Sequence, residues 1–165
     1  MFSVLTAVAL TFFISCKKES GGRSTLNVRM TDAPAEYQEV NVDLEKVYVK
    51  LSGDSASWVE LKAVTGVYNL LGLQNGVDTL IGTETLPSET VKEIRLVLGS
   101  DNTIKVNGTV YPLEIPSGAE SGLKIKVNKK LEASIETLII DFDAALSVHE
   151  EGTGDYKLKP VLKIK

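Results

Sequence analysis

The chain predicts an all-β protein, a β-sandwich of immunoglobulin- or transthyretin-like kind with about nine or ten strands. Three observations lead there. From Thr25 onward, apolar and polar residues alternate with period 2, the mark of strands with one buried face. Clusters of Gly, Pro, Asn, Asp and Ser interrupt the alternation at the spacing of short strands. Only one stretch, residues 67–86, breaks the pattern toward a helix.

Taken in order, Leu26, Val28 and Met30 alternate with Asn27, Arg29 and Thr31, which gives the first strand. Val40, Val42 and Leu44 repeat the pattern, and Val47, Val49 and Leu51 resume it one residue out of phase. The shift at Glu45-Lys46 predicts a β-bulge or a bend. Ser52-Gly53-Asp54-Ser55 is a turn before a strand at 58–61. Within 67–86, leucines at 70, 71 and 73 suit a short helical turn, which Asn75-Gly76 would close through a left-handed cap. The whole segment reads as a crossover between two parts of the sandwich.

Gly99-Ser100-Asp101-Asn102 separates strands at 94–98 and 103–106. Asn107-Gly108 then joins the latter to 109–111, because a type I′ hairpin turn needs positive φ at both central residues. Pro116-Ser117-Gly118 and Gly122 bound a strand at 123–127, and the glycine-rich 150–154 separates a strand at 137–148 from a last one at 156–164. Pro160 and alternating lysines make that last strand a sheet edge, since proline cannot donate to a ladder and lysines discourage aggregation.

The N-terminus carries the clearest biological signal. An uncharged apolar run of 13 residues, Phe2 to Ile14, leads through Ser15 into Cys16, the only cysteine. Lys17-Lys18-Glu19-Ser20-Gly21-Gly22 follows at once. The run is too short for a helix crossing a hydrocarbon core, which needs about 20 residues, and fits the apolar region of a secretory signal. The expected organisation is a lipoprotein signal peptide over 1–15, a lipidated Cys16 with a flexible tether over 16–24, and one β-sandwich domain over 25–165. No cysteine then remains for a disulfide, so the domain rests on packing alone. A net charge of −4, mixed along the chain, argues against a nucleic-acid partner, which would call for a basic stripe.

Five segments in order also carry a resemblance: Met30-Thr31-Asp32-Ala33-Pro34, residues 70–81 with Leu86-Pro87, Ile94-Arg95-Leu96-Val97-Leu98, Ile140-Asp141-Phe142-Asp143, and Leu158-Lys159-Pro160-Val161-Leu162. Together they resemble the domain-of-unknown-function family numbered 4382, over about residues 25–165. The resemblance implies an extracytoplasmic β-sandwich domain of the kind found on bacterial lipoproteins, many of them from the Bacteroidota. It implies no established activity.

The candidate chemistry is sparse. His149, the only histidine, sits beside Glu150-Glu151 at a glycine-rich turn and reads as a solvated surface residue, and no Gly-x-Ser-x-Gly elbow occurs. One histidine excludes a histidine-rich zinc site. Asp141 and Asp143, two apart on an expected strand, would share a face, and Asp32 would approach them if the first strand ran beside the last ones. These three are candidate calcium ligands or structural hydrogen-bonding groups, and no cofactor is otherwise expected. The same pair is also a candidate for the two carboxyls of a glycosidase. Arg95 interrupts an apolar strand; on a half-buried face it would need a carboxylate, with Asp32, Asp141 and Asp143 as partners, and otherwise it faces solvent. Asp54-Ser55-Ala56 and Asp78-Thr79-Leu80 resemble O-glycosylation acceptors at Ser55 and Thr79. Asn107-Gly108-Thr109 fits the N-glycosylation pattern, but the hairpin already accounts for it.

The expectation is a non-enzymatic, lipid-anchored cell-envelope module at the outer membrane, periplasmic or surface-exposed. It would bind a protein or glycan partner, or serve structure, with the membrane held through Cys16. The alternatives are a carbohydrate-active hydrolase using Asp141 and Asp143, for which Trp58 would be the best stacking surface, and a calcium-stabilised adhesin domain.

Overall fold

The computed structural model describes residues 22–53, 58–116, 122–132, 134–152 and 154–165. The signal segment, Cys16, most of the tether, Ser55 and the turn at Ser117-Gly118 therefore lie outside the described residues. The strands are β1 (Arg23–Asp32), β2 (Glu39–Leu51), β3 (Trp58–Glu60), β4 (Lys62–Ala63), β5 (Gly66–Asn69), β6 (Thr79–Pro87) and β7 (Thr90–Leu98). They continue with β8 (Thr103–Val106), β9 (Thr109–Glu114), β10 (Leu123–Lys130), β11 (Ile135–Phe142), β12 (Val148–Glu150), β13 (Tyr156–Leu158) and β14 (Leu162–Ile164). A 3₁₀ turn, Leu70–Leu73, and one short helix, α1 (Ala144–Ser147), complete the chain.

Two mixed sheets pack face to face, giving the expected sandwich-like β fold. One has the order β14-β11-β1-β6-β4; the other runs β10-β7-β2-β8-β9-β13-β12, with β3 and β5 also on β2. Alternation explains the packing. Leu26, Val28 and Met30 of β1, Val47 and Val49 of β2, Ile94 and Leu96 of β7, and Ile140 and Phe142 of β11 are all buried between the sheets. At Gly82 of β6 the packing is close: a Cβ there would lie 3.4 Å from both Val47 and Leu61. Each core side chain of this size contributes about 1.5–3 kcal/mol by leaving water.

Local expectations hold in several places. The β2–β7 register shifts between Leu44 and Lys46, so the phase change in the sequence is a bulge. Asn107 and Gly108 have φ of 50° and 80° and join β8 to β9.

Elsewhere the strands are shorter and more numerous than expected, because the chain repeatedly changes sheets. Residues 67–86 do cross from one sheet to the other, but the second half of that segment is β6, paired along β1. Asn75 and Gly76 (φ 57° and 84°) do not cap the 3₁₀ turn; they form a tight turn after it, closed by Val77 N donating to Gln74 O at 3.1 Å. The expected strand at 137–148 ends at Phe142, because Asp143 caps α1 and the chain then joins the other sheet as β12. The expected single C-terminal strand is two: β13 pairs with β9 and β12, and β14 forms the edge beside β11. Pro160, with no N–H to donate, sits in the break. β1 itself opens at Arg23, two residues before the expected start of the domain at Thr25, with Ser24 fully buried.

Candidate functional site

β1 and β11 run parallel, pairing Thr31 with Asp141 and Asp32 with Phe142. The first strand therefore does bring Asp32 to Asp141 and Asp143, and all three are buried. What they do there is structural. The Asp32 carboxylate accepts from the Ala144 backbone N–H at 2.9 Å and from the Gln74 amide at 3.2 Å. It thus ties the start of α1 to the turn after the 3₁₀ segment. Its neighbour Thr31 lies 2.8 Å and 2.7 Å from the carbonyls of Leu73 and Val77, sharing its one hydroxyl proton between them. The Met30-Thr31-Asp32 segment is thus a staple, holding two crossings to the first strand.

Asp143 lies beyond β11, so the two aspartates are not same-face strand neighbours. Its carboxylate accepts from Leu146 N at 3.1 Å, the N-cap bond of α1, and from Lys163 at 3.3 Å. Its carbonyl accepts from Ser147 N at 3.0 Å and from the Ser147 hydroxyl at 2.5 Å. That hydroxyl in turn accepts from Val161 N at 2.8 Å, which fastens α1 to the Pro160 break. Asp141 pairs with Lys165 at 3.4 Å through one oxygen; the other is buried without a hydrogen-bond partner among the described residues. Burial pushes the Asp32 carboxyl above the usual range. The two hydrogen bonds oppose that shift, and the nearby charges of Asp141 and Asp143 add to it.

Among the described residues, no group of three His, Cys, Asp or Glu side chains is placed to hold a metal ion. Four surface hollows of about 320 to 640 Å³ are present, and none of these four is lined by Asp32, Asp141 or Asp143. His149 is exposed on β12, opposite Lys157. Thr79 is the first residue of β6, opposite Met30, and the adjoining Asp78 is engaged by Arg29.

Arg95 lies on the outer face of its strand, in line with the second of its two expected readings, and not against the aspartates. It lies on β7, in the sheet opposite to the one that carries Asp32 and Asp141, and its partners are rings. The guanidinium carbon sits 4.4 Å from the Tyr48 ring centre and 4.7 Å from that of Trp58. The partners expected for a half-buried Arg95 were carboxylates. Period 2 could have suggested otherwise, since Tyr48 and Arg95 both point away from the core on strands that pair.

A two-sheet sandwich with a buried acidic staple and crossings at Leu70–Leu73 and Ala144–Ser147 defines the class of domain. Residues 23–160 match the family described as "Domain of unknown function (DUF4382)", and the chain belongs to that family. Comparison with curated proteins and with solved structures finds no match.

Proposed function

We propose that the chain is a lipid-anchored cell-envelope protein whose β-sandwich acts as a binding module and not as an enzyme. The observation that carries this is the use of the acidic residues. The carboxyl pair expected as a glycosidase candidate is otherwise engaged: Asp143 caps a helix, and both Asp141 and Asp143 pair with C-terminal lysines. A hydrolase would need two carboxyls opening onto a cleft that admits a sugar and a water. The apolar run ending at Cys16, with its polar tether, supports attachment through lipid, for which more than one acyl chain gives a stable anchor. Among the described residues no helix is long and apolar enough to cross a membrane. The same signal supports the outer membrane, with the domain in the periplasm or at the surface.

The reading is tested by melting curves of the full-length protein against a panel of envelope glycans and proteins, with each glycan mixture assayed for new reducing ends. A ligand that binds only the folded state raises stability by RT ln(1 + [L]/Kd), about 2.7 kcal/mol at a hundredfold excess over Kd. The expected result is a raised melting temperature with a partner and no released ends. Release of reducing ends that Asp143→Asn abolishes would put the hydrolase in its place, and a flat response throughout would contradict binding.

A further inference from the structure

The outer face of β3-β2-β7-β10, on the sheet away from the acidic staple, combines flat rings with cations that have no ion pair among the described residues. Register fixes two rows across it. In one, Glu60, Tyr48, Arg95 and Lys124 are successive cross-strand neighbours. In the other, Trp58, Lys50, Glu93 and Lys126 are. Four cations thus face two carboxylates, a local excess of positive charge on a chain whose net charge is −4. Lys124 and Lys126 are exposed, and Lys50 lies 6.0 Å from the Trp58 ring.

Arg95 sits at the centre, and its stacking fixes its pose. Two rings occupy the guanidinium's surroundings, which leaves its planar edge as the part able to donate, and a guanidinium edge matches a carboxylate or sulfate in bidentate fashion. Its Nε is buried without an acceptor among the described residues, whereas its two terminal nitrogens are not among the buried orphans. Gly122 leaves room for the stem by having no side chain. That residue has φ of 95°, and a Cβ there would lie 2.7 Å from Arg95 Cγ and 2.9 Å from the Leu96 carbonyl. A cation pinned in one conformation loses less entropy when an anion arrives.

We infer that this face is a docking site for an acidic polysaccharide, a chain of sugars bearing carboxylates or sulfates. Arg95 receives one anionic group edge-on, and Lys50, Lys124 and Lys126 neutralise its neighbours. The half-buried Trp58 offers ring surface to the sugar. At about 4.8 Å between strands the face is about 14 Å across, room for several anionic groups in succession. The inference rests on the binding-module reading and names its ligand class.

The test is equilibrium binding of the detergent-solubilised full-length protein to immobilised polygalacturonate and heparin, with dextran as the neutral glycan and poly-L-glutamate as an acidic chain without sugar. At least one acidic glycan is expected to bind in 0.1 M NaCl, more weakly in 0.5 M as the charges are screened, while dextran does not bind. The exposed double variant Lys124→Glu/Lys126→Glu is expected to lose at least tenfold. Arg95→Lys, which keeps the charge and removes the fork, is expected to lose severalfold at an unchanged circular dichroism spectrum. Absence of binding to both acidic glycans overturns the inference, as does binding that both variants leave intact. Equal binding of poly-L-glutamate overturns the sugar component. Binding of dextran untouched by the variants would sink this site and leave the binding-module reading standing, whereas that reading fails on a flat response to every partner in the melting panel.

Discussion

Asp32 shows how a single buried carboxylate can be read. Its two acceptor bonds hold Ala144 and Gln74, and burial raises its folded-state pKa. The direction decides the pH dependence. At pH below the ordinary carboxylate range Asp32 is protonated in both folded and unfolded chains, and no charge is desolvated. As pH rises from there through the elevated folded value, the unfolded chain loses its proton first, and the Asp32 contribution to stability falls. Asp32→Asn keeps the shape and the acceptor for Ala144 N–H while removing the charge. Its stability relative to the parent is therefore expected to improve between pH 4 and pH 7, measured by urea unfolding at each pH. A relative stability that is flat or worsens over that window would show that burial is not the dominant influence on this group.

At the scale of elements, the sandwich depends on short segments that redirect the chain between sheets. α1 has only four residues, too few to be stable alone. It persists because Asp143 caps it and because Ser147 and Asp143 both bond to the Pro160 break. Asp143→Ala is expected to lower stability by about 0.5–2 kcal/mol, the range for losing an N-cap. The Lys163 partner adds little, being more than half exposed. Urea midpoints of the two proteins check this, and an unchanged midpoint would mean the cap carries no weight. These crossings are also where the sequence was hardest to read. Alternation made the long strands legible, and the Asn107-Gly108 hairpin and the bulge at Glu45-Lys46 followed from local rules. The end of β11 could have been seen in Asp143-Ala144-Ala145, a cap residue before helix formers. Alternation through Leu138, Ile140 and Phe142 concealed it, because a period-2 pattern carries no signal of which sheet receives the next strand. The pairing of β1 with β11 depends on residues more than a hundred positions apart, and only the guess that first and last strands are neighbours reached it.

For the molecule as a whole, the two faces divide the work. The edge of the five-stranded sheet is closed by β14 and its lysines, which engage the buried aspartates. The nine-stranded sheet presents Arg95 between Tyr48 and Trp58 on its open side. The candidate site proposed from sequence thus became part of the scaffold. Arg95, expected either beside those aspartates or facing outward, takes the outward position, where rings satisfy it as carboxylates would have done. The proposal of a lipid-anchored module stands or falls with Cys16. The most direct measurement is mass spectrometry of the N-terminal peptide of protein extracted from its native membranes. The expected chain begins at Cys16 and carries a diacylglycerol on its sulfur. A chain that retains residues 1–15, or that begins at Cys16 with a free thiol, would contradict it.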